Sequence, residues 1–100
     1  MSTILTGTIT LQVMCINKRG YHHNPHERIQ AIGGIDGRMR WKDPEDVAIN
    51  NIETGRKRYF VNAGGKSVWV VVARHNGRKY LKTENDGYSP DNLLSLPECP

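Results

Sequence analysis

Residues 57–83 read KRYFVNAGGKSVWVVVARHNGRKYLKT, and this stretch decides the fold. Gly64-Gly65 and Asn76-Gly77 are signatures of two-residue hairpin turns, which favour residues that tolerate positive φ angles. These turns divide the stretch into three runs rich in β-branched and aromatic residues. We therefore predict an antiparallel meander of strands Lys57–Asn62, Ser67–Arg74 and Arg78–Thr83, in which the middle strand is apolar on both faces and must be covered on both sides.

Two further strands are predicted upstream of the meander. From Thr8 to Ile16 apolar and polar residues alternate, as a half-buried strand requires. A second strand is expected over Arg28–Ile35, where Gly33-Gly34 indicates a bulge or a close approach of another backbone. After this strand, Asp36-Gly37 is a further turn signal.

Helix start signals occur at two later positions. Asp43 is a preferred capping residue, Pro44 suits the first helical position, and the residues that follow predict a helix over Pro44–Thr54. Gly55 would end this helix in the left-handed conformation. The stretch Ser89–Pro97 predicts a single helical turn whose leucines close over the core.

The order of these elements is β-β-α-β-β-β, which predicts an α+β fold with one antiparallel sheet of about five strands or a small, partly closed barrel. The one main helix would pack on the sheet. We expect residues 1–100 to form a single domain, with residues 1–7 as a flexible N-terminus. Pairing the hairpins by their turns places Phe60 opposite Trp69, Val61 opposite Val68 and Val72 opposite Leu81.

The composition of the chain indicates which cellular compartment and which kind of partner to expect. The longest apolar run is too short to cross a bilayer, and the N-terminus lacks the pattern of a secretory signal, so we expect a cytoplasmic protein without a membrane partner. Cys15 and Cys99 are the only cysteines. They form neither a CxxC motif nor a disulfide framework, so reduced thiols are expected. The formal net charge of +4 favours attraction to polyanions.

Several short motifs along the chain form a set that is specific in combination. They are Cys15-Ile16-Asn17-Lys18, Asn24-Pro25-His26-Glu27-Arg28-Ile29, Ile32-Gly33-Gly34, Trp41, Ala48-Ile49, Ile52-Glu53, Gly55, Val61-Asn62, Gly64-Gly65, His75-Asn76-Gly77, Lys79-Tyr80-Leu81, Asp86 and Asn92-Leu93-Leu94-Ser95-Leu96-Pro97. This set resembles a family of small bacterial proteins known as domain of unknown function 3892. The resemblance covers about Val13 to Pro100 and implies a small bacterial-type domain, with no catalytic residue carried over. The sequence departs from the more acidic loop associated with the family at Gly20-Tyr21-His22-His23.

Basic and aromatic residues of the meander form the candidate binding site. On one sheet face they would let bases stack while phosphates contact cations, so nucleic acid is the first predicted partner. In the alternative interpretation the aromatic residues are core and the cations are a solvated rim. The candidate residues are Arg56, Lys57, Arg58, Phe60, Trp69, Lys79, Tyr80 and Lys82.

Other functions have weaker support in the sequence. A protein-interaction or inhibitor module could use the hairpin surface or a sheet edge, because exposed strand edges pair readily with another chain. His22, His23, His26 and the two cysteines include possible zinc ligands, but their spacing does not demand a metal, and no cofactor is expected. We expect no enzymatic activity, because no nucleophile is paired with a base at a recognisable spacing.

Overall fold

The computed structural model describes residues 8–20, 23–87 and 90–100. Both the expected flexible segment 1–7 and His22 lie outside the described residues, as does Ser89 of the predicted C-terminal turn. The elements are β1 (Ile9–Gln12), β2 (Cys15–Lys18), a short 3-10 turn (Pro25–Glu27), β3 (Ile29–Asp36), β4 (Met39–Pro44), α1 (Glu45–Glu53), β5 (Lys57–Ala63), β6 (Lys66–His75), β7 (Arg78–Thr83) and α2 (Asp91–Leu94).

The strands form two sheets. The first has four strands in the order β1-β5-β6-β7, and the second has three in the order β2-β3-β4. β1 runs parallel to β5, whereas the other neighbours are antiparallel. The α+β class is confirmed in outline. The prediction of about five strands in one antiparallel sheet is corrected to seven strands in two sheets, and among the described residues neither sheet closes into a barrel.

The predicted first strand is divided between the two sheets. The Val13 backbone N–H donates to the Phe60 carbonyl at 2.8 Å, and the next residue, Met14, donates to the Gly33 carbonyl at 2.8 Å. The chain therefore steps from one sheet to the other between Val13 and Met14. Alternation of residues cannot reveal this step, because each half of the run still alternates with period two.

Both hairpins lie where the turn signals predict them. Gly64 and Gly65 have φ angles of 59° and 83°, and Asn76 and Gly77 have φ angles of 51° and 80°, as a type I′ turn requires. The expected pairs Phe60 with Trp69, Val61 with Val68 and Val72 with Leu81 are present. β6 pairs with β5 through its first half and with β7 through its second half, so it extends beyond each neighbour.

The helix begins one residue later than predicted, and a strand precedes it. Pro44 is the residue before the helix instead of its first residue, and no side chain caps α1 by a hydrogen bond. Asp43 is instead the penultimate residue of β4 and is buried. β4 was not predicted, because its exposed cations and single tryptophan do not resemble a strand with an apolar face. None of the described helices is long and apolar enough to cross a bilayer.

The core lies between the two sheets and α1. Ala48 of the helix has no exposed surface, and Tyr59 of β5 and Ile32 of β3 are equally enclosed. The apolar core residues are Leu11, Val13, Ile16, Ile29, Ile32, Ala48, Ile49, Tyr59, Val61, Val68, Val70, Leu81 and Leu93.

A disulfide joins Cys15 to Cys99 across a sequence separation of 84 residues. The expectation of reduced thiols is therefore wrong for this structure. The adjoining C-terminal residues run beside β2, where Ile16 donates to the Pro97 carbonyl at 2.9 Å and Cys99 donates to the Ile16 carbonyl at 3.0 Å. This pairing brings the two thiols together, and no local spacing in the sequence could have indicated it.

Candidate nucleic-acid interface

The outer surface of the four-stranded sheet carries three of the predicted binding residues, Arg58, Phe60 and Trp69, which we call the aromatic face. Strand alternation sends Arg58 and Phe60 away from the core, because Tyr59 between them is fully buried. Phe60 and Trp69 are half-buried, whereas Arg58 is exposed. The Phe60 and Trp69 rings meet edge to face with centroids 6.2 Å apart. The Arg58 guanidinium carbon lies 3.7 Å from the Trp69 ring centroid.

Small polar residues lie beside these aromatic rings. Thr10 of β1 is paired with Arg58, and Ser67 of β6 follows the hairpin turn. Together with Phe60 and Trp69 they line a shallow depression of about 270 Å³. A planar group could rest here against an aromatic edge, with the guanidinium plane of Arg58 beside it.

The structure does not bring all the predicted residues to this face. Lys57 turns towards the core, where its Nζ lies 3.1 Å from the buried carboxylate of Asp43. Lys79 pairs with Glu53 of α1 at 2.8 Å. Tyr80 is only 3% exposed. The Tyr80 ring lies beside the His26 ring, so it cannot offer a stacking surface.

The last two candidates, Lys82 and Arg56, differ in whether their charged groups already have partners. The Lys82 ammonium donates to the backbone carbonyls of Asp86 at 3.0 Å and Thr83 at 3.3 Å, which occupies it at the end of β7. Arg56 is exposed in the turn before β5 and, within the described part of the chain, belongs to no ion pair. Arg56 and Arg58 are therefore the cations best placed to reach a phosphate near the aromatic face.

A buried polar cluster that the sequence did not predict joins β4, α1 and β5. The Tyr59 hydroxyl donates to Asp43 Oδ2 at 2.5 Å and accepts from Asn51 Nδ2 at 3.0 Å. Burial, together with the neighbouring Asp43 carboxylate, raises the pKa of Tyr59 far above its usual value. The hydroxyl therefore remains protonated and donates its hydrogen bond to the carboxylate, which joins β4 to β5.

A second unpredicted cluster surrounds Glu45 at the first position of α1. Its side chain is 6% exposed, and Oε1 lies 2.7 Å from Arg78 and 3.5 Å from Arg19. Burial raises the pKa of Glu45, while the two guanidinium groups act in the opposite direction. Arg19 also donates to the backbone carbonyls of Glu27 and Ile29, so this cluster ties the 3-10 turn and β3 to the helix.

His26 is the buried histidine of the 3-10 turn. It is 3% exposed, and its ring centroid lies 3.9 Å from that of His75 and 5.7 Å from that of Tyr80. Burial lowers the pKa of His26, and His75 lowers it further. The imidazole is therefore held neutral in a packed site, and the described residues place no nucleophile beside it.

The possible metal ligands are not assembled among the described residues. No group of three or more His, Cys, Asp or Glu side chains there has the geometry to hold a metal ion. Both cysteine sulfurs are joined in the disulfide and are not thiolates in this structure. His26 lies in the 3-10 turn, and His23 precedes it.

These features define a class: a small α+β protein with two packed sheets, whose four-stranded sheet exposes a basic and aromatic outer face. Residues 12–97 match the family model described as protein of unknown function (DUF3892), and the chain belongs to that family. The resemblance seen in the sequence is thereby confirmed, whereas a bacterial origin stays a prediction. No curated protein and no solved structure matches the chain.

Proposed function

We propose that the protein binds single-stranded nucleic acid through the aromatic face. The observation that carries this proposal is the stack of Arg58 on Trp69, with Phe60 at its edge, on the solvent side of a sheet. Single strands are recognised by bases that stack on aromatic rings or on arginine planes while cations contact the backbone. The three side chains offer both kinds of surface within one patch.

The burial of the aromatic residues supports a binding role over a purely structural one. Tyr59 and Tyr80 are enclosed, whereas Phe60 and Trp69 retain exposed surface and are absent from the buried core. A base that stacks on such a platform gains about 1 to 3 kcal/mol. Because Arg58 already covers one surface of Trp69, the base would stack on the guanidinium plane or against Phe60.

The number of protein cations available to contact phosphates determines how steeply binding should depend on salt. Among the predicted cations, Lys57, Lys79 and Lys82 are engaged elsewhere, which leaves Arg56 and Arg58 for phosphates. Two phosphate contacts on a single strand give a slope of about −1.4 in a plot of log K against log salt. Binding should therefore be weak, and it should depend on salt much less than that of proteins with long basic grooves.

The test is fluorescence anisotropy with labelled single-stranded DNA and RNA, beginning at about 50 mM salt, where electrostatic attraction is strong. Trp69→Ala should weaken binding with little change in the salt slope. Arg58→Ala should weaken binding and also make the slope shallower. Arg38→Ala is the matched control, because Arg38 is an exposed cation at the other sheet. The absence of binding by the wild-type protein would remove the proposal.

The alternative is a protein-interaction or inhibitor module. It is favoured by β4, which is the terminal strand of the second sheet and carries Met39 with 72% of its surface exposed. An extended segment of another protein could add to this edge through main-chain hydrogen bonds. Amide hydrogen exchange would then show new protection of β4, whereas nucleic acid would protect β5 and β6.

A non-enzymatic role and a cytoplasmic location stay predictions. The clusters around Tyr59, Glu45 and His26 are packed and mutually hydrogen-bonded or stacked, which supports a structural role for them. The disulfide is typical of oxidising compartments and argues against the cytoplasm.

A further inference from the structure

An apolar cavity of about 390 Å³ lies on the three-stranded sheet, away from the aromatic face. Met14 and Ile35 line it and are themselves 43% and 50% exposed, and Trp41 lines it from β4. The disulfide and two prolines, Pro97 and Pro100, also line it. The lining residues are Met14, Cys15, Gly34, Ile35, Arg40, Trp41, Lys42, Pro97, Glu98, Cys99 and Pro100.

The walls of this cavity are held close to the backbone of β3. A Cβ atom at Gly33 would come within 2.9 Å of Cys99 Sγ and of the Trp41 carbonyl oxygen. A Cβ at Gly34 would meet the Gln12 carbonyl oxygen and would lie 3.0 Å from Trp41 Nε1. The two glycines therefore let the disulfide and the indole pack directly on β3, on opposite faces of the strand, and the disulfide forms part of the cavity wall.

The rim of the cavity is basic. Arg40 and Lys42 occupy alternate positions of β4, so both point to the same side of the sheet. Both are exposed, and within the described ranges neither belongs to an ion pair. The one acidic side chain in the lining, Glu98, accepts a hydrogen bond from Asn17 at 3.2 Å. Two cations without an ion pair thus lie at an apolar cavity beside a single acidic side chain.

We propose that this cavity binds a small amphipathic anion. The apolar body of the ligand would lie against Met14, Ile35 and the disulfide, and its acidic group would pair with Arg40 and Lys42. The volume lies within the range of about 300 to 1,000 Å³ that is usual for small-molecule sites. The site shares no residue with the aromatic face, so it is independent of the proposed binding of nucleic acid.

Anilinonaphthalene sulfonate is a suitable probe, because it joins an aromatic body to one acidic group and becomes fluorescent in apolar sites. Phenylnaphthylamine has a similar body without the charge and is the matched neutral probe. We expect the wild-type protein to bind the sulfonate more tightly. Titration with the wild-type protein in excess would give both dissociation constants, and tighter binding of the neutral probe would contradict the proposal.

Two variants separate the apolar and the charged contributions. Ile35→Trp should fill the cavity and weaken both probes, and its partial exposure leaves room for the larger ring. The pair Arg40→Gln and Lys42→Gln should weaken the sulfonate about fivefold and change the neutral probe by less than about twofold. The control pair, Lys66→Gln and Arg74→Gln, removes the same charge from exposed positions on β6 and should leave both constants unchanged.

Thermal melting would first confirm that each variant is folded. Met14→Trp fills the same cavity from the other side, should Ile35→Trp fail to fold. The proposal is overturned if a folded cavity-filling variant binds the sulfonate as the wild type does. It is also overturned if the control pair weakens the sulfonate as much as the rim pair does, since the attraction would then be general.

Discussion

Reduction of the disulfide between Cys15 and Cys99 should strongly destabilise the protein. The bond joins residues 84 positions apart and thereby limits almost the whole unfolded chain. For a closed loop of that size, the chain-entropy relation gives a stabilisation of about 4.6 kcal/mol at 25 °C. A domain of about 100 residues loses at least 4 °C of melting temperature per kcal/mol, so the reduced protein should melt about 20 °C lower.

The assay is calorimetry of the oxidised and reduced protein, with the state of both cysteines fixed by intact mass and thiol alkylation. The control is the double variant Cys15→Ser and Cys99→Ser, which should melt near the reduced wild type and should not respond to reductant. The reasoning fails if the wild-type protein is shown to be oxidised and its melting temperature does not fall on complete reduction. It fails equally if the purified protein carries free thiols under oxidising conditions.

Three further changes test individual contacts. Burial lowers the pKa of His26, so the folded state resists protonation of its imidazole. The free energy of unfolding, measured with urea, should therefore fall as pH drops from about 7.5 to about 5.5, and it should fall less in His26→Gln. Glu45→Gln should cost about 1 to 3 kcal/mol in the same assay, because a buried charge-assisted bond to Arg78 is lost. Its control, Glu53→Gln, breaks an exposed pair and should cost less than about 1 kcal/mol. Gly77→Val should lower the melting temperature, since a β-branched residue resists the φ of 80° at this turn.

The parts of the fold that the sequence predicts are those encoded by neighbouring residues. Gly64-Gly65 and Asn76-Gly77 require particular backbone angles, and each turn then sets the pairing of its two strands. The register of Phe60 with Trp69 follows from the first turn alone. Similarly, α1 is predicted to within one residue at each end because Pro44 and Gly55 limit it locally, although Asp43 does not cap it.

Non-local partners explain what the sequence did not predict. β1 pairs with β5 in parallel, across the whole second sheet and the helix, and no turn chemistry records such a pairing. β4 forms a hairpin with β3, but its outward-facing cations Arg40 and Lys42 interrupt the apolar pattern by which a strand is recognised in the sequence. Cys15 and Cys99 are adjacent only because the C-terminal residues run beside β2.

For the candidate site too, the sequence predicted only what depends on neighbouring residues. Strand alternation correctly assigned Arg58, Phe60 and Trp69 to one face, because only local geometry was needed. The partners of Lys57 and Lys79 are acidic residues of β4 and α1, which the sequence could not place. A basic residue next to an aromatic strand is therefore weak evidence for binding until its carboxylate neighbours are known.

The disulfide makes the shape of the cavity depend on the redox environment of the protein. Cys99 forms part of the cavity wall, and the segment that carries it is held to β2 by hydrogen bonds with Ile16 as well as by the bond to Cys15. In an oxidising environment the wall is covalently fixed beside Arg40 and Lys42. In a reducing environment the wall is held only by backbone hydrogen bonds with Ile16. Binding of an amphipathic anion should therefore weaken on reduction, whereas the aromatic face, which lies on the other sheet, should keep its geometry wherever the domain remains folded.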